Sequence, residues 1–126
     1  MGKFILTLIF IMGSLAISKS PEIIAYYNPD CRCCTKYFDL LEKKGYKIKR
    51  VEVDSVTLYK KKNELGVPVD KRSCHTMKVG DKFIEGHVPA EGIERLLSSK
   101  NAKGVYSPHG THSGFGVEED YYILIE

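Results

Sequence analysis

Ile23-Ile24-Ala25-Tyr26-Tyr27-Asn28-Pro29-Asp30-Cys31-Arg32-Cys33-Cys34 decides how this chain folds and where its chemistry sits. Five apolar and aromatic residues end at Asn28-Pro29-Asp30, turn chemistry that stops a strand. Three of the chain's 4 cysteines then fall within four positions. Helical spacing follows at once, with Tyr37, Leu40 and Leu41 on one face and Gly45 as the closing residue. The thiols therefore sit between a strand end and a helix start. There the helix dipole and unpaired backbone N–H groups favour the thiolate.

Working outward, Lys47 to Val53 alternates with Ile48, Val51 and Val53 apolar and reads as a second strand. Thr57 to Leu65 reads as a short helix ended by Gly66, with Val67-Pro68 beyond it. Thr76 to Val79 and Lys82 to His87 flank Gly80-Asp81 as a hairpin. Pro89 precedes a helix from Ala90 to Ser98, with Ile93, Leu96 and Leu97 inward. The order is β-α-β-α-β-β-α, an α/β thioredoxin-like arrangement around a central mixed sheet. Behind it come a histidine-containing C-terminal loop, residues 107–116, and Tyr121 to Ile125 as an edge strand. No internal repeat interrupts residues 19–126, a length typical of one domain.

Strand order makes a spatial prediction. Sites in such sheets form at the carboxyl ends of the parallel strands. Cys31 lies just past the first strand, and Cys33 and Cys34 enter the first helix. The third strand, antiparallel to the first, begins at the same rim, so Cys74 and His75 belong there. The hairpin brings His87 back to it. Met77 is close by, but alternation makes it as much a core residue as a thioether ligand. His109 and His112 lie in a loop with no core pattern; the ten residues from Lys100 to His109 span roughly 33 Å when extended, enough to return over the thiols.

Each residue carries a plainer alternative. Cys31 and Cys34 have the spacing of a redox dithiol and can close a disulfide, leaving Cys33 and Cys74 as buried thiols. Vicinal Cys33 and Cys34 bridge only through a strained ring. Cys33 has no use in a simple oxidoreductase, whereas clustered thiolates hold Cu(I) or Zn(II) well. His75 stands where thioredoxin-like proteins usually carry a cis-proline, which argues against ordinary disulfide exchange. His87 can instead cap the last helix.

Residues 1–18 open with Met-Gly-Lys and run apolar from Phe4 to Ile17, ending in small residues: a secretory signal peptide. The run is short of the roughly 20 residues that span a bilayer. Cleaved, it leaves an exported, periplasmic protein with no transmembrane span; uncleaved, it anchors the protein to a membrane. Its removal takes Lys3 from 19 basic side chains and nothing from 16 acidic ones. That balance excludes a nucleic-acid reader, which shows a concentrated basic face. The runs Lys43-Lys44, Lys47 to Arg50 and Lys60-Lys61-Lys62 read as solvated faces.

Cys31-Arg32-Cys33-Cys34, Gly66-Val67-Pro68, Ser73-Cys74-His75-Thr76 and Glu85-Gly86-His87-Val88-Pro89-Ala90 together resemble the CopG-type copper-resistance proteins, a group overlapping a bacterial family of small metal-binding domains. The match runs through residues 23–98 in order. The resemblance implies a thioredoxin-like fold, a periplasmic location and copper in a thiolate-bridged, polynuclear cluster. It makes Cys31, Cys33, Cys34 and Cys74 the sulfur ligands, with His75 and His87 beside them. Many members carry a Gly-, Pro- and Met-rich tail loop; here residues 108–116 read PHGTHSGFG, imidazoles in place of thioethers. Imidazoles accept Cu(I), Cu(II) and Zn(II) alike.

Three functions follow as expectations. The first is an exported protein that sequesters Cu(I), or passes it to a periplasmic copper-handling partner, with a redox role for copper attached. The second is a thiol-disulfide oxidoreductase using Cys31 and Cys34 as catalytic residues. The third is a zinc-stabilised interaction module.

Overall fold

The computed structural model describes residues 21–107 and 121–126. Residues 1–18, expected from the sequence to be a signal peptide, and the two tail histidines, His109 and His112, lie outside the described residues. Strand β1 (Ile23–Tyr27) leads into helix α1 (Arg32–Lys43), then β2 (Ile48–Glu52) and α2 (Ser55–Leu65). A 3-10 turn, Val69–Lys71, precedes β3 (His75–Val79) and β4 (Lys82–Glu85). Helix α3 (Ala90–Ser98), β5 (Gly104–Tyr106) and β6 (Ile123–Ile125) complete the order. Through residue 98 this is the β-α-β-α-β-β-α order expected from the sequence.

The strands form one six-stranded mixed sheet in the order β2-β1-β3-β4-β5-β6. β1 runs parallel to β2 and antiparallel to β3, with Tyr27 opposite His75. β3 and β4 pair antiparallel, with Thr76 opposite Glu85. Alternation along β1 buries Ile23, Ala25 and Tyr27 on one face of the sheet. Tyr37, Phe38 and Leu41 of α1, Met77 and Val79 of β3, and Ile93 and Leu96 of α3 fill the core there. Helix α2 covers the opposite face, where Lys61 lies over the Tyr26 ring and Lys62 reaches Thr76.

Helix ends follow local chemistry. Cys31 is the N-cap of α1 and contributes no side-chain cap bond. Asp54 caps α2 by accepting from the Thr57 N–H at 2.7 Å, which satisfies an otherwise unpaired helix donor. That cap starts α2 two residues earlier than the apolar pattern suggested.

Three expectations need correction. β4 stops at Glu85 rather than His87, because Gly86 turns the chain at φ 85°. A Cβ added there would sit 2.4 Å from the Ser107 carbonyl oxygen, so only glycine fits. The stretch after α3 is not simply a loop, for β5 runs parallel to β4. With three residues it is too short to show a period, and its leading Gly104 lies against the Phe83 ring. Lys62 is buried rather than solvated. β6 pairs at the sheet edge as expected.

Candidate metal centre

The rim at the end of β1 brings the four cysteines together. Cys31 caps α1, and Cys33 and Cys34 occupy its first turn. Cys74 arrives from the segment entering β3, across from the end of β1. All four sulfurs lie within 4.8 Å of one another. Cys31 and Cys34 are joined as a disulfide, while Cys33 and Cys74 are free thiols. Cys74 Sγ stands 2.6 Å from Cys31 Sγ and 3.4 Å from Cys34 Sγ. Cys33 Sγ is 3.8 Å from Cys31 Sγ.

His75 joins them from beneath. It is fully buried, with Nδ1 3.3 Å from Cys34 Sγ and Nε2 3.1 Å from the Gly86 carbonyl oxygen. A carbonyl only accepts, so in neutral His75 the proton belongs on Nε2 and Nδ1 turns its lone pair toward the sulfurs. That is the tautomer a metal ligand needs.

His87 is also buried, with its ring stacked on Tyr37 at 4.8 Å and its centroid 5.6 Å from that of His75. Pro89 is the N-cap of α3, two residues after His87. Tyr37 is held in place by donating its hydroxyl proton to the Val88 carbonyl at 2.5 Å. Met77 is fully buried in the apolar core. Among the described residues no peptide bond is cis.

Beneath Cys74 lies a polar network that sequence reasoning missed. Lys62 Nζ donates to Glu85 Oε2 at 2.5 Å, to Thr76 Oγ1 at 2.5 Å and to the His75 carbonyl at 2.9 Å. Glu85 is wholly buried; it also accepts from the Ser73 N–H at 2.8 Å and from Thr76 Oγ1 at 2.7 Å. Two signals pointed to it. Lys62 lies four positions after Leu58, on the inward stripe of α2. Glu85 alternates with Phe83 toward the same face of β4.

Electrostatics follows from this burial. Desolvation pushes the Cys74 thiol up to about 11, helped by nearby Cys33 and opposed by Lys62. Burial also holds Lys62 below the usual lysine range, against the pull of Glu85. Burial therefore favours the protonated thiol at Cys74 over the thiolate. Metal binding must displace that proton.

The donor set suits soft cations: sulfurs first, with one oriented imidazole. With the disulfide closed, two thiols and His75 can bind. Opening it takes two electrons and two protons and makes four thiols available.

Comparison with known proteins agrees with this chemistry. Residues 71–114 match a family described as "Protein of unknown function, DUF411". Two solved structures are similar to the chain. "Copper resistance protein copG- Form 1" is 32% identical with a TM-score of 0.66, over 72% of this chain and 71% of that one. "Copper resistance protein copG- Form 2" is 31% identical with a TM-score of 0.71, over 81% of each chain. No curated protein matches.

Proposed function

The chain belongs to the CopG copper-resistance family, and from that premise we propose that it captures Cu(I) at the rim formed by Cys31, Cys33, Cys34 and Cys74. The observation that carries the proposal is the gathering of four sulfurs within 4.8 Å from two elements far apart in sequence. Thiolates at that spacing can bridge one ion to the next, so the rim takes copper as a small polynuclear cluster. His75 adds a lone pair through Nδ1, and His87 stands one ring behind it. Copper here is cargo, sequestered or handed to another copper-handling protein.

Copper redox chemistry attaches to the same site. Two Cu(II) ions take one electron each from the Cys31 and Cys34 thiols. The products are two Cu(I), the Cys31–Cys34 disulfide and two protons. The disulfide in the structure is what supports this step.

We place the protein in the periplasm, exported by residues 1–18 as a signal peptide, with residues 19–126 as the functional domain. No helix among the described residues is long and apolar enough to cross a membrane. His109 and His112 are further candidate ligands. The segment that carries them leaves from Ser107, whose N–H donates to the Glu85 carbonyl at 3.0 Å beside the rim.

A competition titration tests copper capture. The anaerobically reduced protein should withdraw Cu(I) from a chromogenic chelator at sub-micromolar free copper and in stoichiometric amount. Micromolar or sub-stoichiometric binding contradicts the proposal. Zinc retained in preference to Cu(I), by elemental analysis, would favour the zinc-stabilised interaction module instead.

A further inference from the structure

Three of the four sulfurs are placed by one element, since Cys31, Cys33 and Cys34 ride on the first turn of α1. Cys74 has no such support. Its segment enters β3 only at His75, the last residue paired with β1, and Thr76 begins the pairing with β4. Something else must hold the chain at Cys74.

The buried polar network does this on both sides. Ahead of Cys74, the Ser73 N–H donates to Glu85 Oε2 at 2.8 Å. Behind it, the His75 carbonyl accepts from Lys62 Nζ at 2.9 Å and from Ser73 Oγ at 2.8 Å. Lys62 has three donors, and Glu85, Thr76 and His75 take them all. Both Glu85 oxygens accept. A fully satisfied network of this kind is rigid.

Stability is a poor explanation for the pair. Two buried charges lose their hydration, and apolar replacements of similar volume often leave a fold as stable or more so. Position is what the pair supplies. We propose that Lys62 and Glu85 are positioning residues for Cys74, tying Ser73 and His75 so that the fourth sulfur stays in register with the three on α1. The proposal deepens the copper-capture reading and rests on it for its ligand.

The test is a double-mutant cycle on the full chain. Cu(I) affinity is measured by chelator competition for the wild type, for K62M/E85L, for C74S and for the triple variant. In parallel, each reduced, metal-free protein is oxidised with diamide and its disulfides are mapped by peptide analysis.

We expect K62M/E85L to melt cooperatively, yet to bind Cu(I) roughly ten- to a hundredfold more weakly, the usual effect of losing a partner that orients a ligand. Adding the pair's replacement to C74S should cost nothing further, and bridges involving Cys74 should become rarer. Wild-type affinity in K62M/E85L, or a loss that multiplies in full with that of C74S, overturns the proposal. If K62M/E85L fails to fold, Glu85→Gln, which keeps the size and removes the charge, is read by the same two criteria. If the wild type itself binds no Cu(I), copper capture has failed, and disulfide mapping alone decides: an unchanged share of Cys74 bridges overturns the positioning role.

Discussion

Cys33 separates capture of metal from exchange of disulfides. The Cys31–Cys34 pair is already closed without it, so Cys33→Ser leaves an exchange enzyme intact. A cluster that uses all four sulfurs loses one of them. Copper capacity of Cys33→Ser should therefore fall below wild type while any thiol-exchange rate is unchanged, measured by chelator competition beside a disulfide-reduction assay. Unchanged capacity would favour the oxidoreductase. Cys74 gives a second prediction at this scale. Its thiol is raised from 9.0 to about 11, chiefly by burial. Because the fold holds the proton more tightly than the unfolded chain does, the resulting stability is complete below pH 9.0 and disappears as pH rises toward 11. The stability difference between wild type and Cys74→Ser in the oxidised, metal-free protein should shrink across that window in urea melts. The cysteines and His75 were legible in the sequence because strand order alone carries them to one rim. Lys62 was not: in a run of three lysines only the 3.6-residue period distinguishes the inward one. Glu85 was hidden by the same habit of reading charges as solvated.

At the scale of elements, the turn after β4 is where the rim is most tightly constrained. Gly86 has φ 85° and lies against the Ser107 backbone. Gly86→Ala should cost about 1–3 kcal/mol through its left-handed backbone alone, and more through contact with the Ser107 oxygen. Urea unfolding measures this; a variant as stable as wild type would show that β5 is not held against the rim there. Tyr37→Phe removes the bond to the Val88 carbonyl and should cost about 1 kcal/mol while leaving the ring stacked on His87. The helices and first four strands were readable from period and punctuation, since each is long enough to show them. β5 was not, because three residues led by a glycine carry no period and gain their place only by pairing with β4.

For the whole molecule, the fold assembles a four-cysteine cluster, a candidate soft-metal site, from two segments that share no sequence neighbourhood. β1 and α1 deliver three sulfurs, and the antiparallel return of β3 delivers the fourth with an imidazole whose lone pair faces them. The cargo proposed for this rim is copper, named from its sulfur-rich donor set. X-ray absorption at the copper edge of the anaerobically loaded protein tests that most directly. We predict a Cu(I) edge, a first shell dominated by sulfur and a copper–copper distance within a thiolate-bridged cluster. A shell of nitrogen and oxygen alone, or copper held as Cu(II) with no sulfur scatterer, would contradict copper capture by the four cysteines.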